Sequence, residues 1–474
     1  MRRHFILSLF CVLAGVLSAA DLTFSNGTVG TYQEVRKPGD FQKAAFGWLE
    51  VRTATPGACV LRLGEKSDGQ GGVDMRPGGT IRAVEVRCHV GKEWTRVPLQ
   101  PDKRNTQGRN GAAIAVTLPA EVGVILPFRY VQVVEGPKDL EFRRVAVHWP
   151  MRRKVKFSHP NRDVMKLWDF CQYSMIATSF AGLMVDGDRE RIPYEGDLYI
   201  NMMGQLYGVD GDPELARRSI RHILKYPTWP LEWRQHAIMC VWEDWHFTQS
   251  TDLARETYEL LKSDKLLKEG PDGLVHEMRG LLVDWPAGER DGYDMRAEGN
   301  TVVNAFHYRN LNEMADLART LGHREDAAEF RKRAERVKKA INARLFDEKR
   351  GLYVDGLGSG HITLHGNAAV LAFGIVPTAR KAKVADYLAS RPMACSPYFA
   401  QYFLEALCQN GKKARALELM IAKDERSWLG MMAQGSTVTM EAWSLKAKPN
   451  QDWNHAWGAA PLNILARYFR RNEQ

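Results

Sequence analysis

Asp186-Gly187-Asp188-Arg189-Glu190-Arg191-Ile192-Pro193-Tyr194-Glu195-Gly196-Asp197 is the stretch on which the reading of this chain turns. Its twelve residues hold five carboxylates and two arginines, and its glycines and Pro193 forbid one continuous helix, so it is a loop. Apolar sequence flanks it, Met175 to Ala181 before and Leu198 to Met203 after. The charges therefore arrive at the ends of packed elements, where burial and mutual repulsion separate carboxylate pKa values and set an acid beside a base.

Outward from this loop the apolar period is helical, beginning near Phe157. Leu311, Met314, Ala318 and Leu321 share one helix face before Gly322, and Ala327, Phe330, Ala334, Val337 and Ile341 repeat the pattern in the next segment. About twelve such segments recur, among them 161–181, 232–249, 299–321, 324–346 and 411–424, often as pairs joined by short turns. One-faced helices in hairpins, without a repeated sequence motif, predict a closed toroid over 157–474 instead of an open superhelix. Upstream, residues 21–150 read as a β-sandwich. Short apolar runs at Trp48–Val51, Cys59–Leu63, Ile81–Cys88, Ala112–Leu118 and Phe128–Val134 alternate with Gly, Pro, Asp and Asn. Val84-Glu85-Val86-Arg87-Cys88 alternates as a half-buried strand requires. This β region is read as a packing partner of the helical one in preference to a carbohydrate-binding module, for want of an exposed aromatic stripe.

The connections between helices fall into two sets. One is short, as at Gly322-His323; the other is long and rich in Trp, Asp, Glu and His, covering 183–197, 226–233, 270–298 and 425–453. Polar and aromatic loops gathered on one rim make a pocket mouth, which nominates Asp284 and Trp285 as binding residues. Trp242, in Trp242-Glu243-Asp244-Trp245, begins inside a helix and reads equally as a core ring or a pocket ring.

The run Asp-x-x-Arg-Glu-Arg, with an aromatic four residues past the Glu and Gly-Asp six and seven past it, resembles the signature of the bacterial α-L-rhamnosidases, inverting glycosidases on an (α/α)6 barrel. The resemblance implies that Glu190 is the general acid, that Asp186, Arg189 and Asp197 bind the sugar, and that Tyr194 stands where the family usually has Trp. A second segment, Thr437-Val438-Thr439-Met440-Glu441-Ala442-Trp443, resembles the family's Thr-x-x-x-Glu-x-Trp, and Trp453-Asn454-His455 resembles the Asn-His that follows. It implies Glu441 as general base, with Trp443 and His455 binding the substrate. The expected function is an exo-acting hydrolase that removes terminal α-L-rhamnose or a similar sugar with inversion. Two alternatives stand beside it, a six-hairpin glycosidase for another terminal sugar such as a glucoside or uronate, and a non-catalytic carbohydrate-binding protein.

Composition limits the rest. The net charge of +10 is scattered, and basic runs such as Arg331-Lys332-Arg333 fall on a helix's polar face, so no nucleic-acid partner is expected. Residues 1–20, with Arg2, Arg3, an apolar run from Phe5 to Val16 and small residues before Asp21, read as a signal peptide, predicting an exported periplasmic or extracellular protein with no membrane span. No Rossmann, P-loop, Cys-x-x-Cys or His-rich metal spacing occurs, so no cofactor and no metal site are expected, although so many carboxylates are compatible with a bound divalent cation. Cys59 and Cys88 lie in strand-like segments and are candidates to pair in an oxidising compartment.

Overall fold

A computed structural model describes residues 22–35 and 39–470; the segment read as a signal peptide lies outside them. The chain up to His148 forms strands β1 (Leu22–Thr23), β2 (Val29–Glu34), β3 (Asp40–Arg52), β4 (Gly57–Gly64), β5 (Ala83–Val90), β6 (Thr95–Arg96), β7 (Arg109–Asn110), β8 (Ala113–Ile114), β9 (Leu126–Glu135) and β10 (Glu141–His148). All but β7 and β8 hydrogen-bond into one antiparallel sheet ordered β1-β2-β10-β3-β9-β4-β5, with β6 on β3. The long β3 organises it, pairing its first half with β9 and its second with β10, across a register shift between Asp40 and Ala45. β5 lies at an edge, and its alternation of exposed Glu85 and Arg87 with partly buried Val84 and Val86 follows the sequence pattern. β2 and β10, absent from the sequence reading, pair along six residues. Cys59 and Cys88 face each other directly on β4 and β5 with their sulfurs 3.3 Å apart, both as free thiols.

Thirteen α-helices follow among the described residues: α1 (Arg162–Ala177), α2 (Glu195–Gly208), α3 (Glu214–Lys225), α4 (Leu231–Thr248), α5 (Asp252–Leu260), α6 (Thr301–Leu321), α7 (Arg324–Arg344), α8 (Leu364–Ala372), α9 (Thr378–Ser390), α10 (Ala400–Gln409), α11 (Lys413–Met420), α12 (Trp428–Ala433) and α13 (Ala460–Tyr468). Burial sorts them. In α2 every residue but Tyr207 is buried, whereas α7 buries only Phe330, Ala334, Val337, Ala340 and Ile341, a single stripe that keeps four of the five predicted positions and leaves Ala327 half-buried. Helices α2, α4, α6, α8, α10 and α13 each pack on the next, with α13 returning to α2, while α3, α5, α7, α9 and α11 pack outside them. No helix among the described residues is long and apolar enough to cross a membrane.

The segment 161–181 does not stay helical to its end. Helix α1 stops at Ala177, and Phe180, Ala181 and Val185 turn away to join the apolar core of the β region, where Phe180 stacks on Phe46 with ring centroids 3.7 Å apart. Burial against the sheet outweighs continued helix, and the carboxylate-rich loop that follows is thereby anchored in the β core.

Candidate active site

The loop 186–191 is held from within. Asp188, 1% exposed on its side chain, accepts Arg191 Nη2 at 2.5 Å and Nε at 3.1 Å on one oxygen and Arg82 of the β region on the other. Its own N–H donates to Asn454 Oδ1 at 2.7 Å. Burial alone would raise the Asp188 carboxyl, but the Arg191 and Arg82 guanidiniums overcome it and hold the group below the ordinary carboxylate range. Arg191 has φ 55°, in the left-handed region that a residue other than glycine keeps only when its surroundings over-determine it. Those surroundings are Asp188, the Ile125 carbonyl 2.8 Å from Arg191 Nη2, and Val116, whose N–H donates to the Arg191 carbonyl at 2.9 Å. Gly187 permits the loop to meet the segment after Glu441, for a Cβ there would lie 2.6 Å from Asp452 Oδ2 and 3.0 Å from the Asn454 carbonyl.

Asp188→Asn should lower stability by about 3–5 kcal/mol near neutral pH, since it strips two buried guanidiniums of their shared anion. The folded carboxyl is held below its unfolded value of roughly 3.9, so its contribution is complete above that value and is lost as pH falls through the folded one. Denaturant titration of both proteins should therefore show a gap that narrows in acid. A gap that is absent, or as wide at low pH as at neutral, would rule out this role.

Arg189 joins the two candidate catalytic carboxylates. Its Nη1 donates to Glu190 Oε1 at 2.9 Å and its Nη2 to Glu441 Oε1 at 2.8 Å. Glu190 Oε2 accepts from the Tyr194 hydroxyl at 2.7 Å, and that hydroxyl accepts from Asn110 Nδ2 at 3.2 Å. Glu441 Oε1 also meets the Lys448 ammonium at 3.0 Å, whereas Glu441 Oε2 is buried without a hydrogen-bond partner.

Arg189, Glu190, Tyr194, Asn110 and Glu441 line a cavity of about 200 Å³ together with Asp186, Asp197, Trp229, Pro230, Trp233, Leu282, Trp285, His455 and Trp457, with Lys448 behind Glu441. Tyr194, Asp197, Trp233 and Trp457 sit at or just before the starts of α2, α4 and α13, so the cavity opens at one end of the inner helices. Trp229 and Trp285, 49% and 37% exposed, give it an aromatic rim. Its walls hold an unusual number of buried polar atoms with no partner in the protein: Asp186 Oδ2, both Asp197 carboxyl oxygens, Glu441 Oε2, Arg189 Nε, Asn110 Oδ1, Trp233 Nε1 and His455 Nδ1. His455 Nδ1 lies 3.4 Å from Asp197 Oδ1 but is not aligned to bond it. Each such group costs about 1–3 kcal/mol unless something satisfies it. Collected around one cavity, they suit a ligand that carries several hydroxyls.

Crowding sets the protonation states. Burial, with the Glu190 charge adding to it and Arg189 opposing, pushes Asp186 well above the ordinary carboxylate range. Burial and then Glu441 do the same to Asp197. Asp452, beneath Glu441, is raised to about 7 by burial and by Glu441 against the pull of Arg189. Burial, reinforced by Arg189 and Lys448, pushes His455 well down, so its ring is neutral. Protonated Asp186 and Asp197 can donate as well as accept, which is what sugar hydroxyls require.

Of the residues nominated from sequence, Asp186, Arg189, Glu190, Tyr194, Asp197, Trp285, Glu441 and His455 meet at this cavity. Three do not. Asp284 is fully buried with both oxygens filled: Trp285 N–H at 2.8 Å and the Ser396 hydroxyl on one, Ser396 N–H at 2.9 Å and His365 Nε2 at 2.8 Å on the other. It anchors the loop that presents Trp285 and has nothing left for a sugar. Trp443 is also buried, edge-on to Trp428, and spends its indole N–H on the Cys395 carbonyl at 2.7 Å. Trp242 lies nine residues beyond Trp233 on α4, about 14 Å along the helix axis at its 1.5 Å rise per residue. There it stacks on His246 and lines a separate cavity with Tyr207, Glu243, Arg309 and Glu313. The glutamates of that cavity are already engaged, Glu243 by the Tyr207 hydroxyl and Glu313 by Arg309.

The reading from sequence omitted Asn110, Trp229, Trp233, Trp457 and Lys448. Trp229 carried a signal in its Pro-Thr-Trp-Pro loop; Asn110 carried none, since the β7–β8 hairpin reaches the cavity by docking on Pro227, whose carbonyl accepts from Ala112 N–H at 3.2 Å. The β region also grips the second segment. Ala44 N–H donates to Thr437 Oγ1 at 2.8 Å, Thr80 N–H to the Gln451 carbonyl at 2.9 Å, and Glu65 Oε1 accepts from Asn454 Nδ2 at 3.0 Å. Burial lifts Glu65 to about 8 against the hydrogen bonds from Arg82 and Asn454. Among the described residues no group of three or more His, Cys, Asp or Glu side chains has the arrangement of a metal site.

Comparison with known proteins bears on the fold and the family. Solved rhamnosidases share the fold, an antiparallel β region followed by many helices. That from Dictyoglumus thermophilum superposes with a TM-score of 0.73 at 17% identity, over 92% of this chain and 51% of the other. The rhamnosidase from Klebsiella oxytoca with rhamnose bound does so with a TM-score of 0.68 at 16% identity, over 91% of this chain and 88% of that one. A curated relative, an alpha-L-rhamnosidase of Alteromonas sp. (strain LOR), is 22% identical over 252 residues, half of this chain but only 27% of its own length. The six-hairpin glycosidase domain of bacterial alpha-L-rhamnosidases is matched by residues 152–469, the whole helical part with both carboxylate segments. On that match, this chain belongs to the bacterial α-L-rhamnosidase six-hairpin glycosidase family.

Proposed function

We propose that this protein is an exo-acting glycoside hydrolase that removes terminal α-L-rhamnose, or a closely similar sugar, from glycosides or oligosaccharides with inversion at the anomeric carbon. The observation that carries the proposal is that Glu190 and Glu441, from segments remote in sequence, flank one guanidinium in the wall of a cavity lined with unsatisfied polar atoms. Inversion needs an acid at the leaving oxygen and a base holding a water on the opposite face, with roughly 6.5–9.5 Å between the carboxyls. Arg189 bridges the two carboxylates, and Glu441 Oε2 is left free to take a proton.

In this mechanism Glu190 gives its proton to the glycosidic oxygen as that bond breaks. The water loses a proton to Glu441 Oε2 while its oxygen bonds the anomeric carbon. Asp186, Asp197, Arg189 and His455 hold the sugar hydroxyls, and Trp233, Trp457 and Tyr194 pack on its apolar face and methyl group. A cavity of about 200 Å³ suits one terminal sugar better than an internal stretch of a chain, hence exo action. The chemistry requires no cofactor.

The same reading takes residues 21–150 as a β-sandwich and 157–474 as an (α/α)6 barrel of six helical hairpins. The closed succession of α2, α4, α6, α8, α10 and α13 supports the second. Export to the periplasm or beyond follows from the signal-like segment 1–20. A panel of aryl glycosides, with proton NMR of the first product, tests the function. The α-L-rhamnoside should be cleaved fastest, releasing the β-anomer first. Faster cleavage of a glucoside or uronide would reassign the sugar, a retained anomer would remove the mechanism, and binding without turnover would make the protein a lectin-like binder.

A further inference from the structure

We propose that Lys448 is a positioning residue for the base, pinning one oxygen of Glu441 and keeping its carboxylate ionised; the proposal rests on the reading of Glu441 as the base. The two side chains are 3% and 2% exposed and their charged atoms stand 3.0 Å apart. A buried lysine beside a buried glutamate is a poor device for stability, because desolvating both ions consumes most of their attraction. Such a pair calls for another explanation, and the surroundings of Glu441 supply one.

The groups that face Glu441 come from three segments. Arg189 and Glu190 belong to the loop 186–191, Asp197 to α2, and Lys448, Asp452 and His455 to the stretch after Glu441 itself. His455 is neutral through burial and contributes no charge. Three carboxyls crowd Glu441, and the cations that meet it are Arg189 and Lys448. Arg189 divides its guanidinium between Glu190 and Glu441. Lys448 pairs with no other carboxylate among the described residues, and its hydrogen bond goes to the neutral Asn450 Oδ1 at 2.8 Å.

Local structure delivers the ammonium where it is needed. Lys448 closes a turn on the Ser444 carbonyl at 3.1 Å, and its own carbonyl accepts from Gln451 N–H at 3.1 Å. Gln451 Oε1 then returns to the base segment, accepting from Ala442 N–H at 3.2 Å. Lys448 and Arg189 both act on Glu441 Oε1, so Oε2, which has no partner, is singled out as the atom that receives the water's proton.

The test compares Lys448→Met, Lys448→Gln, Lys448→Arg, Glu441→Gln and the Glu441→Gln/Lys448→Met double variant of the full chain on an aryl α-L-rhamnoside. Lys448→Met should lower kcat about 100-fold near neutral pH, at the low end of what a general base supplies, with KM little changed. Its acid limb should move up by about 1–3 pH units, the effect of removing an adjacent opposite charge, so that the loss shrinks in alkali. Lys448→Arg should keep the wild-type limb, and the double variant should be no slower than Glu441→Gln alone. Should Lys448→Met not fold, as its melting curve would reveal, Lys448→Gln against Lys448→Arg gives the same contrast. A loss uniform across pH, or multiplying effects in the double variant, overturns the proposal while leaving Glu441 as the base. Near-normal turnover by Glu441→Gln would instead overturn the reading on which the proposal rests.

Discussion

Glu190→Gln should reduce hydrolysis of glycosides with poor leaving groups by about 10²–10⁴-fold, the range typical of general acid catalysis, while activated aryl glycosides lose far less. An alkoxide cannot depart without a proton, whereas an acidic phenol leaves as the phenolate. The substitution is close to isosteric, and its amide can still accept from Arg189 at the position of Oε1, so the loss reports the missing proton and not a collapsed loop. The measurement is kcat/KM across aryl rhamnosides of graded leaving-group pKa. The variant should show a steep dependence where the parent shows a shallow one. Equal losses on every substrate would make Glu190 a binding residue, and near-normal turnover of natural glycosides would remove it from the mechanism.

Glu441→Gln should behave differently, with losses of similar size, about 10²–10⁴-fold, on good and poor leaving groups alike, because the attacking water needs its base whatever departs. The site sharpens this expectation. In the parent two cations converge on Glu441 Oε1; in the variant they face a neutral amide, so the altered charge balance should also affect the binding of anions. Azide is therefore a suitable probe, being a small anionic nucleophile that requires no base. It should restore turnover by attack from the water's side and give a glycosyl azide of inverted configuration. A product of retained configuration would imply a covalent glycosyl-enzyme, for which the separation of the carboxyls would have to be that of a retaining enzyme, roughly 5–5.5 Å.

By itself the sequence determined those features that repeat locally or sit in a contiguous motif. The stripe Phe330, Ala334, Val337 and Ile341 is written in a 3.6-residue period, and α7 buries those residues because one face of a helix is all that packing on α6 requires. The alternation at Val84 to Cys88 set the faces of β5 in the same way. Two contiguous segments, through their resemblance to a family's motifs, nominated Glu190, Arg189 and Glu441, and all three line one cavity.

Only the tertiary structure decided which face of each loop looks into the cavity. Asp284 and Trp285 are neighbours in sequence, yet Trp285 reaches the rim while Asp284 is saturated by His365 and Ser396, 81 and 112 residues away. Trp242 and Trp233 share one helix, but its rise separates them by about 14 Å and puts them at different cavities. Asn110 enters from the β region and Lys448 from an irregular turn, neither with a period or motif to announce it. The common reason is that periodicity records only whether a side chain is inside. Which distant groups satisfy its polar atoms is settled when separate elements pack, and in this protein that satisfaction, or the want of it, separates an anchoring carboxylate from one available to a substrate.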